Sequence, residues 1–288
     1  MITNSKTSSV EIIKRALSER KNNNIDIKNS FCVFDFAEKN NIEVKFVDIS
    51  SMEGFLILGK KQVILISSHR PPPRQRFTCA HELGHLFYKH QGIHIDEIET
   101  PFPSTTSYKA PDEKVADQFA AFLLMPPSTV MSGFSKRKIR LQKATPIEIY
   151  TIAAWLGVGY TTLITHLQFG LKKISNFQAQ ELKKISPKEI KKLILGFYCH
   201  NNVVPVDFQW SGRPIDTSLG DYLVFNKQIQ FNDSKLEYID KNNGHFFYRT
   251  KSTGIGQVWE EKRQWSSFVR ISRENYIGRC KFRHLEED

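Results

Sequence analysis

Cysteine is scarce: Cys32, Cys79, Cys199 and Cys280 are scattered over 288 residues with no C-x-x-C spacing. That excludes a disulfide framework and a cysteine-ligated structural zinc knuckle. No apolar run approaches the ~20 residues of a membrane span. Met1 to Asn24 holds none that could serve as a signal peptide. Internal repeats and low-complexity tracts are missing too. Acidic residues are outnumbered, 30 against 41 Lys and Arg, for a formal charge of +11. Hydrophobic residues at 40% and charged ones at 25% describe an ordinary globular chain, and its length predicts two domains. The simplest reading is a reduced, cytoplasmic protein with no membrane partner.

Against these absences stands the run His81-Glu82-Leu83-Gly84-His85. Two histidines four apart on a helix project from one face, about 40° apart. Both imidazoles can then meet one zinc ion, and the intervening glutamate can activate a metal-bound water. The plain alternative is a helix with two surface histidines. Phe77, Ala80, Leu83, Gly84 and Phe87 share a broad apolar sector, with His81 and His85 at its margin and Glu82 further round. Gly84 costs helix propensity, up to about 1 kcal/mol against alanine. Its benefit is room for a neighbouring backbone or a substrate, or ordinary packing.

Catalytic zinc usually has three protein ligands and one open position. The third is best sought in Pro111 to Pro127, where Pro111 suits a first helical turn and Pro126-Pro127 a stop. Ala116, Phe119, Ala120, Leu123 and Leu124 form a buried stripe, with Glu113 and Asp117 at its edge. Carboxylates on an inner edge need partners. Zinc for Glu113 and a ligating histidine's N–H for Asp117 would supply both. The alternative is a pair of surface carboxylates favoured by the helix dipole.

Arg-Phe-Thr before HELGH, then Glu-x-x-Ala-Asp-x-Phe-Ala about thirty residues on, ending in Leu-Leu-Met-Pro, resembles the ImmA/IrrE family of metallopeptidases. The Glu-x-x-x-Asp spacing is also that of gluzincins. The resemblance runs from about Asn29 to Pro127. It takes in a helix at Phe34 to Asn41, a strand at Ile42 to Val47, Gly54 and a strand at Val63 to Ile66. It implies a zincin-like fold, His81, His85 and Glu113 as zinc ligands, Glu82 as general base and Asp117 supporting a ligand. It also implies an intracellular regulatory protease acting on a helix-turn-helix repressor or related partner protein. Cys79 departs from the aliphatic residue the resemblance leads one to expect. It reads as a small buried hydrophobe, or as a thiol that makes the site oxidation-sensitive.

His90 misses the metzincin spacing and reads as a cation at a helix C-terminus, with a ligand role as the alternative; His94 is weaker. Tyr88, Tyr108 and Arg76 could each donate to a tetrahedral oxyanion, and spacing selects none. Ser68-His69 is not a nucleophile pair, because Pro71-Pro72-Pro73 marks a loop beside it.

After Pro127, Met131 to Lys143 reads as a basic connection. Thr145-Pro146-Ile147-Glu148 is a capping box for a helix carrying Ile149, Ile152, Ala153 and Leu156. Gly157-Val158-Gly159 breaks it, and a second helix from about Thr161 carries Leu163, Ile164 and Leu167. The outline fits a DNA-reading helix-turn-helix, and equally an αα-corner used for packing or partner contact. Ser186-Pro187-Lys188-Glu189 opens another helix. The lysines from Lys172 to Lys192 favour an anionic partner, or simply form a solvated face. Beyond Gly196, runs at Asp221 to Phe225, Gln228 to Phe231, Leu236 to Ile239 and His245 to Arg249 read as strands, with a turn at Asn242-Asn243-Gly244. Five to seven antiparallel strands are expected.

The sequence thus predicts an α+β chain in three parts. These are a zincin-like metallopeptidase domain over 1–135, a helix-turn-helix-like segment over 136–195 and a small antiparallel β domain over 196–288. Its function reads as zinc-dependent endopeptidase, with Glu82 as base and a protein substrate. The alternative is a transcriptional regulator or interaction protein, binding nucleic acid or protein, whose zinc site is structural or vestigial.

Overall fold

The computed structural model describes residues 7–90, 95–97, 111–210, 213–232, 234–242, 244–262 and 264–285. The chain divides into two compact units, Met1–Ser132 with Ile277–Lys281, and Gly133–Tyr276 with Phe282–Asp288. The middle helices and most of the C-terminal strands therefore belong to one unit. Among the described residues no single helix is long and apolar enough to cross a membrane.

In the first unit, helix α1 (Ser9–Asn22) opens with a capping box between Ser8 and Glu11. It buries Ile12, Ala16 and Arg20. Arg20 donates to the carbonyls of Leu123 (2.8 Å) and Asn29 (2.5 Å), and burial lowers its pKa to about 10. Helix α2 (Val33–Lys39) leads into strand β1 (Glu43–Val47), as the sequence predicts. Strands β2 (Met52–Ile57) and β3 (Val63–Ser67) follow, then helix α3 (Pro72–Phe87). The triple proline is thus only partly a loop. Pro72 and Pro73 begin α3, where a missing N–H costs nothing because first-turn donors have no intrahelical acceptor. Strand β4 (Ile95–Glu97) precedes helix α4 (Pro111–Leu124). With strand β13 (Gly278–Arg279) these strands make one sheet in the order β13-β1-β3-β2-β4. Only the β1–β3 pair is parallel.

Helix α5 (Pro127–Lys136) replaces the expected connection over its first half. Proline at N1 starts a helix as readily as it stops one, and Val130 and Phe134, one turn apart, are both buried. The division between the units falls within this helix.

In the second unit, helix α6 (Pro146–Leu156) carries the predicted Thr145–Glu148 capping box and ends at Gly157 in the left-handed region, φ 77°. Helix α7 (Tyr160–Thr165) passes into a π turn at His166–Gly170, and this run meets α6 at 99°. DNA-reading helix pairs and plain αα-corners share that outline. Helices α8 (Asn176–Lys183) and α9 (Pro187–Leu195) follow.

The strands after Gly196 correct the antiparallel expectation. Strands β5 (Val203–Val206), β7 (Tyr222–Phe225), β9 (Leu236–Asn242) and β10 (His245–Thr250) form one sheet, in the order β5-β7-β10-β9. Strands β6 (Ile215–Ser218), β8 (Ile229–Phe231), β11 (Gly254–Glu260) and β12 (Ser266–Ser272) form another, in the order β6-β12-β11-β8. Each sheet has one parallel pair, β5–β7 and β6–β12. A parallel pair needs a long crossover rather than a turn, so no local signal announces it. Asn243 of the predicted hairpin turn lies outside the described residues.

Asp216 anchors this unit. It is buried, accepts two hydrogen bonds from Arg270 (2.6 and 2.8 Å), and lies 3.5 Å from Arg283 and 3.4 Å from His284. Burial alone would raise its pKa. The neighbouring His284, Arg283 and Arg270 outweigh that and hold it well below the ordinary carboxylate range.

Candidate metal centre

Helices α3 and α4 approach closely because glycine faces alanine. A Cβ on Gly84 would fall 2.9 Å from Ala116 Cα, inside contact distance. The room that Gly84 leaves is therefore filled by another backbone. On its other side α3 meets β2 at Gly54, where a Cβ would lie 2.3 Å from Thr78 Cγ2 and 3.2 Å from Glu82 Oε1. Gly54 thus leaves the space that Thr78 and the Glu82 carboxylate occupy.

His81, Glu82 and His85 are all buried. The two Nε2 atoms face each other at 2.9 Å. Glu113 reaches across from α4, with Oε2 3.2 Å from His81 Nε2 and Oε1 3.3 Å from His85 Nε2. Its close contacts with His81 and then His85 hold the Glu113 carboxyl far below the usual range, keeping it anionic. Four-coordinate zinc, bonded to nitrogen and oxygen at about 2.0–2.1 Å, spaces its ligand atoms about 3.3 Å apart. The triangle of His81, His85 and Glu113 has that size, and its donors are those zinc accepts, so these three side chains could hold such an ion.

Behind the triangle, α4 carries more support. Asp117 Oδ1 lies 2.9 Å from His81 Nδ1, so the carboxylate accepts that N–H and turns Nε2 toward Glu113. His85 is backed differently. Its Nδ1 lies 3.0 Å from His90 Nδ1, and His90 Nε2 lies 3.7 Å from Asp112 Oδ1. One proton order suits the histidine pair: His85 Nδ1–H donates to His90 Nδ1, which leaves His85 Nε2 with its lone pair outward, while His90 Nε2 faces Asp112 beyond hydrogen-bond length. His90 is therefore neither a simple helix-end cation nor a member of the ligand triangle. No spacing rule links residue 90 to residue 112; only the α3–α4 packing joins them.

Cys79 is wholly buried. Tyr88 stacks on His90 (ring centroids 5.8 Å) and packs edge-on against Phe119, in the layer that backs the ligands. Arg76 lies on α3, five residues before His81. His94 and Tyr108 lie outside the described residues. His69 bonds Asp48 at 2.5 Å, a pairing unrelated to Ser68.

No curated protein matches the sequence. The family match begins at residue 37 and continues to 167, forty residues beyond the stretch whose motifs carry the resemblance, and so takes in α5, α6 and α7. Residues 37–167 match the family model of the IrrE N-terminal-like domain, Peptidase M78, the family that the motifs resemble.

Proposed function

We propose that the chain is a zinc-dependent endopeptidase of regulatory role, acting inside the cell on a partner protein such as a helix-turn-helix repressor. One observation carries this reading: three side chains of zinc-binding type whose donor atoms approach one another at 2.9 to 3.3 Å, with a buried glutamate between the two histidines on the same helix. Zinc bound there would supply Lewis-acid polarisation of a scissile carbonyl and a water of lowered pKa. Glu82 would take the water's proton and return it to the leaving amine. Asp117 and His90 would fix the tautomers of His81 and His85, so that each presents an unprotonated Nε2. The rival reading, a structural metal, needs a fourth protein ligand. The ligand role that His90 could take would fill that place, and its contact with the Nδ1 side of His85 favours the catalytic reading.

Purified protein is expected to carry about one zinc per chain. The test is co-expression with the products of neighbouring genes, followed by a search for zinc-dependent cleavage. Glu82→Gln keeps size and fold but cannot accept a proton, so zinc should stay while cleavage slows about 10²- to 10⁴-fold. Cleavage by Glu82→Gln at the wild-type rate would sink the proposal.

A further inference from the structure

The segment 136–195 holds twelve Lys and Arg against three Glu, most of the chain's net charge. All three glutamates are engaged: Glu148 and Glu189 close capping boxes, and Glu181 pairs with Lys184. Within this segment lie Phe169 and Phe177, 65% and 72% exposed, the most exposed large hydrophobic side chains among the described residues. Single exposed apolar residues need no explanation; these two are brought together. Gln168 donates to Asn176 (2.9 Å), which ties the π turn to the first residue of α8 at one tip, with Phe169 and Phe177 next in sequence to the bonded pair. Gln178 donates to the carbonyl of Leu141 (2.8 Å), which brings the 140–143 stretch to the same tip. Arg140, Lys143, Lys172 and Lys173 thus lie in or beside the segments that these bonds tie together. All four are exposed, and none forms an ion pair with a described residue.

From this juxtaposition we infer that the α7–α8 tip binds single-stranded nucleic acid. The rings offer stacking faces to unpaired bases, and the four cations track the phosphates. A membrane surface is disfavoured because anchoring requires a continuous apolar face. Here the exposed residues of α8 apart from Phe177 are Asn176, Gln180, Glu181 and Lys183. The exposed α7 residues Thr161 and Thr165 carry no charge, so the cations gather at the tip rather than along that helix. The inference does not rest on the peptidase reading.

The test uses the full chain and a fluorescent twenty-nucleotide oligo-dT. Four phosphate contacts predict a log–log salt slope near −3, a loss of roughly 50-fold between 50 and 200 mM salt. Phe169→Ala or Phe177→Ala should each weaken binding about 5- to 100-fold. Lys172→Glu with Lys173→Glu should weaken it further. Lys60→Glu with Lys61→Glu makes the same charge change on exposed residues between β2 and β3, and should leave affinity within about twofold. Because the substituted tip side chains are exposed, unchanged thermal melting is expected and is measured alongside. Four outcomes would overturn the inference. They are no binding at 50 mM salt, no loss in the phenylalanine variants, equal affinity for a duplex of the same length, and binding to phosphatidylserine vesicles in preference to the oligonucleotide.

Discussion

Gly84→Ala tests whether the α3–α4 contact sets the metal centre. The new Cβ would sit 2.9 Å from Ala116 Cα, 3.2 Å from its carbonyl oxygen and 3.3 Å from its Cβ. Carbon atoms rest comfortably at about 3.5–4.0 Å, so the helices must separate by roughly 0.6–1 Å. Two backbones, not a flexible side-chain end, would have to yield. Overpacking of this kind costs about 1–3 kcal/mol, and alanine's helix propensity returns up to about 1 kcal/mol. The net is a loss of up to about 2 kcal/mol, a fall in Tm of a few degrees for a unit of this size. Glu113 stands one turn before Ala116, so the same separation would stretch its 3.2 and 3.3 Å approaches to His81 and His85 toward 4 Å. Zinc affinity should therefore fall at least about 10-fold. Calorimetry of the metal-free protein and zinc titration against a competing chelator read the two effects separately. A variant more stable than wild type, with unchanged zinc affinity, would refute the reasoning, since propensity alone would then govern the site.

Glu113→Gln should weaken zinc binding sharply, because a charge and a strong oxygen donor leave the triangle, whereas Asp117→Ala should cost about 10- to 100-fold. Chelator competition decides; equal affinities in both variants and wild type would make them surface carboxylates. His90→Ala should cost a similar 10- to 100-fold by freeing the His85 ring, with His90→Gln recovering part of it through an amide that can accept from His85 Nδ1; an unaffected His90→Ala would show that the chain through Asp112 is idle. Asp216→Asn should destabilise its unit by about 3–5 kcal/mol, because Arg270 and Arg283 lose a buried counter-charge; urea unfolding with a loss under about 1 kcal/mol would contradict this. The same group sets a pH dependence. The depressed folded pKa of Asp216 gives stability that is complete above its unfolded value of 3.8 and is lost as pH falls below it. Burial first, with Arg283 and Arg270 assisting against the pull of Asp216, depresses His284 below 6.5, so some stability is already lost as pH falls from that value. Acid melts followed by circular dichroism check the direction, and a unit more stable at pH 4 than at pH 7 would reverse it.

Local pattern was sufficient for much of this molecule. The capping boxes at Thr145 and Ser186, the glycine break at Gly157, the apolar stripe of α4 and the His81–Glu82–His85 face follow from residues within one or two turns of each other. Helical period and capping chemistry are local physics, which a sequence displays directly. Glu113 and Asp117 were legible for a related reason: carboxylates at the inner edge of a helix declare that they need a partner. What the sequence does not display is which residues the packing of the helices and strands brings into contact. The His90–Asp112 link, Gly54 against Glu82 and Gly84 against Ala116 exist only because α3 is held between β2 and α4. The parallel pairs β5–β7 and β6–β12 likewise depend on crossovers with no turn signature, and β13 joins β1 across more than two hundred residues. Contacts of this kind are settled by packing, where each surface is chosen by the one it must fill. The sequence by itself determined the helices and the chemical types at the site; the tertiary structure decided the 3 Å distances that bring those types to a common point.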